Sequence, residues 1–409
     1  MLYLGIDIGK RSHVASLLNE EGKVVFKAFS FHNTTLGADK LLTKLNTYIE
    51  SPCDVEVGME ATGHYWLSIY SFLVESNFTV FVVNPIQTDG WRKGIEIRKR
   101  KTDIIDSILI ADLIRYGDFL ETSISDEDSL ALRNLSRFRN YLSHSCSDLK
   151  RKAIAVLDQV FPEYDSVFSD IFGKSSKQLL LNFSSALEFE DISAAQLSKA
   201  LEKITFKKFA TKKVHALSSL AKNSFGVKFA IDSFSLQLKM IVEQIIFIEQ
   251  QIDQLELELE ILVSKIDSPI LTIPGIGAVN AATILGEIGD ISRFSHPSKL
   301  VAYAGLDATV SQSGEYSSTN NRISKRGSPY LRKAIWSAAF VASNHDPVFK
   351  AFYEKKRREG KHHLVAVGAC ARKMCNTIHA ILKKNVPYVP QIWITFEAFI
   401  PLLLLMFFP

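Results

Sequence analysis

Eight apolar residues, Leu238, Ile241, Ile245, Ile248, Ile252, Leu255, Leu259 and Leu262, alternate three and four apart. That spacing keeps one apolar seam on one side of a single long helix. Acidic and amide residues fill most of the outer positions. An ordinary amphipathic core helix explains a shorter run. A spacing sustained this long reads as a coiled-coil seam. Its partner is expected in the helical segment from Asp126 to about Val160 of the same chain, or in another subunit. That segment carries Arg133, Arg137, Arg139, Lys150, Arg151 and Lys152 and stops at Pro162.

The seam separates two regions of different character. Residues 1 to about 120 read as α/β. "YLGIDIG" alternates as a strand, and "HVASLLN", the turn "EEGK" and "VVFKAFSF" form a hairpin. A helix from Thr35 to about Glu50, the strand "DVEVGMEA", a helix through "HYWLSIYSFLVES" and the strand "FTVFVVNP" follow. Three antiparallel strands and then alternating helices and strands are the element order of an RNase H-like domain. The expected organisation is an RNase H-like domain over 1–125, a helical and coiled-coil region over 126–265, a mainly helical region over 266–385 and an apolar tail over 386–409.

With 409 residues, 47% hydrophobic and 22% charged, the chain has the composition of a soluble globular protein. Its net charge of +4 excludes a strongly basic bulk, so nucleic-acid affinity has to come from local patches. Cys53, Cys146, Cys370 and Cys375 form no CxxC pair, which argues against a structural zinc site or a disulfide framework and suits a reducing cytoplasm. "MLYLGIDIGK" reads as a strand and not a signal peptide. The tail "IWITFEAFIPLLLLMFFP" is interrupted by Glu397 and Pro401, and no membrane span is expected.

The chemistry is concentrated in the acids of the first region. In "RKRKTDIIDSILIADLI", four cations, Arg98, Lys99, Arg100 and Lys101, run into a helix that opens with Asp103 and Asp106. Spacing of three places both carboxylates on one helix face. Good helix grammar alone explains them: Thr102 caps, and acids in the first turn suit the helix dipole. Two further acids change the balance. Asp7 sits mid-strand between apolar residues, where an unpaired carboxylate is costly to bury. Glu60 ends the strand "VEVGME". The first and fourth strands of an RNase H-like sheet are neighbours, and a later helix can lie across their ends. Four converging carboxylates repel unless cations neutralise them. Hard oxygen donors suit Mg²⁺ or Mn²⁺. Two such ions about 4 Å apart clamp the attacking and leaving oxygens of phosphoryl transfer. The cations from Arg98 to Lys101 would then hold the nucleic-acid backbone. A rival reading takes "GIDIGK" as the phosphate loop of a sugar-kinase or actin-like ATPase, but the second phosphate motif and the adenosine loop of that fold are not found.

Past Asp267, "LTIPGIGAVNAATILGEIGDI" places Gly275 and Gly277 in a turn between two short helices, a helix-hairpin-helix pattern whose backbone N–H groups can cradle a phosphate. "NNRISKRGSPYLRKAIW" adds Arg322, Lys325, Arg326, Arg332 and Lys333 around the Ser328–Pro329 helix start. Such a cluster is usually a solvated face. Beside a phosphate-binding turn it reads as a nucleic-acid surface.

Taken together, "GIDIGK", "GMEATGHY", "RKRKTDIIDSILIADLI", "IPGIG", "YAGLDATVSQSG" and "NNRISKRGSPYLRKA" resemble the DEDD transposases of insertion sequences, a family that includes the pilin-gene-inverting recombinases. The resemblance implies a RuvC-like catalytic domain, a coiled coil and a C-terminal transposase domain with a nucleophilic serine. It implies Asp7, Glu60, Asp103 and Asp106 as the metal-binding acids and Ser313, in "QSG", as the nucleophile. Ala308 stands where family members often have Pro. Donor and target DNA, a structured guide (bridge) RNA that pairs with both, and a homo-oligomer, a dimer assembling to a tetramer, are the implied partners. The implied location is the bacterial cytoplasm, at the nucleoid.

Without the family, Ser313 is a loop serine making a local turn, and Ser311, Ser317 and Ser318 are equally eligible. The case for a serine is mechanistic: a covalent protein–DNA phosphoester conserves bond energy, whereas a metal-only nuclease releases hydrolysed ends. The expected function is therefore RNA-guided DNA strand cleavage, exchange and rejoining. The alternatives are a structure-specific junction nuclease that does not rejoin and a catalytically dead DNA-binding scaffold.

Overall fold

The computed structural model describes residues 1–61, 63–83, 85–95, 102–117, 119, 126–191, 196, 207–309, 312–313, 316–317 and 322–390. The chain forms two compact units, Met1–Ile124 and Ser125–Pro409.

The first unit is built on a five-stranded sheet. Its strands are β1 (Leu2–Asp7), β2 (Ser12–Leu18), β3 (Val24–His32), β4 (Val55–Glu60) and β5 (Thr79–Val83), in the order β3-β2-β1-β4-β5. β1, β2 and β3 pair antiparallel, and β4 joins β1 and β5 in parallel. This is the order that the RNase H-like reading requires, with first and fourth strands adjacent. On one side, Leu4, Ile6, Ala15, Leu17, Val57 and Met59 form a core with Leu41 and Leu45 of α1 (Thr35–Leu45) and Ile69 and Leu73 of α2 (Trp66–Glu75). α1 stops at Leu45, short of the expected Glu50: Asn46 caps it, and the Thr47 hydroxyl turns back to donate to Lys44 O. α3 (Pro85–Ile95) was not legible, because Gly90 and Gly94 dilute its apolar pattern. α4 (Asp103–Tyr116) covers the other face of the sheet.

Among its described residues the second unit is helical apart from a short two-stranded ribbon. α5 (Glu127–Val160) and the seam helix lie side by side. Among the described residues three longer helices, α6 (Lys174–Asn182), α7 (Ala186–Asp191) and α8 (Lys207–Lys222), lie between them in sequence, and the seam helix is α9 (Ile231–Ile266). The pairs Arg139–Glu256 and Lys150–Glu249 show that α5 and α9 run antiparallel. Of the seam, Leu238, Ile241, Ile245 and Leu259 are buried, and Ile248, Ile252, Leu255 and Leu262 are partly covered. The partner of the seam is thus in the same chain. α5 contributes Cys146, Ala153 and Leu157 to one core and Leu132 to another, joining the regions that the sequence suggests dividing at residue 266.

That other core holds α10 (Ala278–Ile288), α11 (Pro297–Tyr303), α12 (Pro329–His345), α13 (Pro347–Arg358) and α14 (His363–Lys384). Between α11 and α12, β6 (Gln312–Ser313) pairs with β7 (Tyr316–Ser317). Among the described residues no helix is long and apolar enough to cross a membrane. The tail from 391 onward lies outside them.

Candidate active site

Strand register brings the first two acids together. β1 and β4 pair in parallel with Ile6 opposite Met59, so Asp7 and Glu60 end neighbouring strands one residue later. Alternation puts both on the side of Gly5 and Gly58, away from the core of Leu4, Ile6, Val57 and Met59. α4 lies on that side. A Cβ on Gly5 would stand 2.0 Å from Ser107 O, and one on Gly58 2.9 Å from Ile114 Cγ2. Glycine at both positions lets the helix press onto the strands. The Ser107 and Ser16 hydroxyls, 2.8 Å apart, fix the contact.

The helix direction then places the other two acids. At its far end Arg115 Nη1 donates to Glu20 O, beside the β2–β3 turn, at the Tyr3 end of the sheet. The N-terminus of α4 therefore points toward the ends of β1 and β4, where Asp7 and Glu60 lie. Thr102 caps it by accepting from Ile105 N at 3.3 Å. Asp103 is exposed and Asp106 is buried.

Two partners escaped the sequence reading, and both come from α3. Arg92 Nη2 donates to Asp106 Oδ1 at 2.9 Å, with both side chains largely buried. Thr88 Oγ1 donates to Glu60 Oε2 at 2.6 Å. The signal was present: Thr88 and Arg92 are four apart and share a helix face. Among the described residues no three His, Cys, Asp or Glu side chains form a ready group of metal ligands. The four acids occupy one end of one sheet, with the Arg92 guanidinium on one oxygen of Asp106. The donor set still fits a hard divalent cation: all four are carboxylates, and a cation already balances the most buried of them. Arg98, Lys99, Arg100 and Lys101 lie outside the described residues.

Breaking a buried ion pair from one side leaves the other charge uncompensated, at a cost of about 3 kcal/mol. Arg92→Gln is expected to lower the melting temperature of the metal-free protein. Added Mg²⁺ should restore more stability to the variant than it adds to the parent. Thermal unfolding with and without Mg²⁺ checks this, and equal melting of variant and parent would show that Arg92 does not carry Asp106.

In the second unit the glycine turn differs from expectation. Before it stands a single 3-10 turn, Pro269–Thr272, and not an α-helix, with Pro269 and Pro274 bracketing too few residues for a longer one. Gly275 has φ +88°, and a Cβ there would lie 2.3 Å from Ala338 O, so the close pass over α12 demands glycine. Gly277 faces open space at the start of α10 with no side-chain cap, which leaves the N–H groups of that turn open to a ligand.

Arg322, Lys325 and Arg326 are exposed on a loop held at its base. Thr309 N donates to Arg322 O at 2.8 Å, and Ser324 N to Asp307 O at 2.8 Å. Behind it lies Glu287, fully buried, which sequence reasoning also passed over. It accepts from Arg137 Nε at 2.6 Å, Arg137 Nη2 at 3.0 Å and Ser328 Oγ at 2.8 Å. Its hydrogen bond to Glu287 raises the Arg137 pKa against the opposing effect of burial. This network ties α5, α10 and the start of α12 together, so the basic loop leaves from a fixed point. A single Glu in "TILGEIGDI" was the available signal.

Ser313 lies in β6, paired with Tyr316. Ser311 lies outside the described residues. His296, a candidate base for Ser313, caps α11: its ring accepts from Ser298 N at 3.2 Å, with Nδ1 2.8 Å from the Ser298 hydroxyl.

Comparison with known proteins bears on the chain's family. Residues 4–162 match the family model of IS110 DEDD transposases, described as "Transposase", and residues 267–354 match "Transposase IS116/IS110/IS902 family". The chain is 25% identical, over 95% of each sequence, to the 43.6 kDa protein of insertion element IS110 from Streptomyces coelicolor. It is 24% identical to the pilin gene-inverting protein of Moraxella lacunata, over 95% of this chain and 98% of that protein.

Proposed function

Since the chain belongs to the IS110/IS116/IS902 transposase family and so supports DNA transposition or recombination, we propose that it cuts, exchanges and rejoins DNA strands at donor and target sites under the direction of a structured guide RNA. The observation that carries the chemistry is the common address of Asp7, Glu60, Asp103 and Asp106 at one end of the sheet. These acids would hold Mg²⁺, or Mn²⁺, which supplies charge stabilisation to the attacking and leaving oxygens. Ser313 is the proposed nucleophile. Its oxygen bonds to the phosphorus as the leaving strand departs with a free hydroxyl. A strand hydroxyl later attacks the same phosphorus, restoring a DNA phosphodiester and releasing the serine. No bond energy is lost to water. The burial that pushes Cys370 up to about 11 and Cys375 up to about 12 keeps those thiols protonated and out of competition.

The partners follow the same reading. Guide RNA is proposed from the motif set shared with the insertion-sequence transposases. Recovering and sequencing the nucleic acid that co-purifies with the protein tests it. One discrete structured RNA supports guidance; random fragments would overturn it. Lys325 and Arg326 are proposed to hold phosphates. Changing both to Ala should reduce the slope of log affinity against log salt by roughly one phosphate each. An unchanged slope would mark the loop as merely solvated.

A homo-oligomer, a dimer assembling to a tetramer, is also proposed. Because α5 closes the seam, assembly has to use other faces. Met240, Phe247, Leu257 and Ile261 are each at least half exposed on α9. Phe247→Lys with Leu257→Lys should shift the particle toward monomer without lowering its melting temperature. Light scattering showing the parental mass would place the assembly surface elsewhere.

A further inference from the structure

One face of α12 carries a groove whose aromatic side chains no role above uses. Arg332, Lys333, Trp336 and Phe340 are among the residues that line it, and it encloses about 520 Å³. A smaller cavity of about 120 Å³ continues past Lys333 toward Arg139, Asn140 and Asn280 at the start of α10. Among the described residues no carboxylate lines either one.

The lining combines two chemistries. Trp336 packs against α14: a Cβ on Gly368 would stand 3.3 Å from its six-membered ring. That glycine lets the indole approach the helix closely. Phe340 follows one turn later and remains 46% exposed, with its ring edge-on to His363 at 6.1 Å. Four residues apart, the two rings share one helix face. An exposed aromatic beside a half-buried one makes an apolar patch of the kind that marks a binding surface. The second chemistry is positive charge. Lys333 donates to Asn140 Oδ1 at 2.6 Å, and burial together with the Arg139 charge lowers its pKa. Arg139 has Glu256 as partner, whereas Lys333 makes no ion pair among the described residues. Arg332 also lines the groove, and its Nη1 donates to Ala304 O at 3.1 Å.

Rings alone would suit an apolar partner, and cations alone would suit any anion. Flat rings beside cations fit nucleotides, which carry a flat face and a phosphate in each repeat. A duplex hides its base faces by stacking, so only an unpaired strand can present them. We infer that the α12 groove binds unpaired nucleotides of a nucleic-acid strand, with bases on Trp336 and Phe340 and phosphates at Arg332 and Lys333. The inference rests on the proposed recombination reading and assigns the unpaired part of its nucleic acid to this face.

The test is fluorescence anisotropy of the full chain with labelled oligouridylate, oligothymidylate and a blunt duplex of equal length. Trp336→Ala and Phe340→Ala should each weaken single-strand binding roughly ten-fold, as loss of one stacked base does, and leave duplex binding unchanged. Trp336→Phe, which keeps a ring, should retain most of the affinity. Phe340 is half exposed, so its variant reports on binding even if Trp336→Ala disturbs the packing on Gly368. An effect on oligouridylate alone makes RNA the occupant; an effect on oligothymidylate alone makes it DNA. Single-strand affinity unchanged in the Ala variants, or duplex affinity lowered equally, would overturn the inference. A parent chain that binds neither single strand nor duplex would instead overturn the recombination reading itself.

Discussion

Asp103→Asn is expected to reduce DNA strand cleavage in Mg²⁺ by roughly a thousand-fold while leaving folding intact, because charge stabilisation worth several kcal/mol depends on the full set of carboxylates. Asp103 is exposed at the first turn of α4, so replacing it removes a negative charge without opening a core. Asn keeps the shape of the side chain and its capacity to accept a hydrogen bond. Asp7→Asn and Glu60→Gln should reduce cleavage similarly, and combining two such changes should add little, since groups that act as a unit are not additive. Asp106→Asn should differ in one respect. It also removes the nearer and more buried of the two carboxylates that pair with Arg92, Asp106 and Asp89, so it should lower stability as well as cleavage. Measuring cleavage and melting temperature on all four separates a shared metal site from four helix and strand ends that happen to be acidic. Near-parental cleavage by Asp103→Asn would remove it from the site.

The features legible in the sequence were those fixed by periodicity. Alternation in "YLGIDIG" and "VEVGME" located β1 and β4, and with them the two acids at their ends. The spacing of Leu238, Ile241, Ile245 and Leu259 gave α9, because a seam must stay on one side of its helix. What periodicity could not give was pairing. That Arg92 meets Asp106 depends on α3 lying beside α4, where Trp91 Nε1 also donates to Asp112 Oδ2 at 3.3 Å. That Arg137 meets Glu287 depends on two elements 150 positions apart in sequence. The glycine turn was only half legible for a related reason. Gly275 invited a phosphate-cradle reading, but its missing Cβ first serves the pass over Ala338, a demand visible only once α12 is in place. Gly5 and Gly58 likewise look like weak points in strands until α4 is laid across them.

The second large effect is expected at Ser313. A serine hydroxyl holds its proton at neutral pH and needs a base or a polarised phosphate to attack. His296 is engaged in capping α11, which favours activation through the reacting phosphate. Ser313→Ala should therefore bind nucleic acid like the parent yet form no covalent adduct. Asp103→Asn should also form none. Mixing the two variants asks whether serine and acids act from different chains: recovered activity would mean that they do. If Ser311→Ala abolished the adduct and Ser313→Ala did not, the nucleophile would lie two residues earlier.

Rejoining is what separates a recombinase from a nuclease, and it can be read from one gel. Labelled donor and target DNA, the co-purified RNA and Mg²⁺ are incubated with the full chain and resolved under denaturing conditions before and after proteolysis. The prediction is a protease-sensitive band of protein-linked DNA, with recombinant strands longer than either substrate. Shortened strands with free ends, no protein-linked band and no joined product would contradict it and make the protein a hydrolytic junction nuclease.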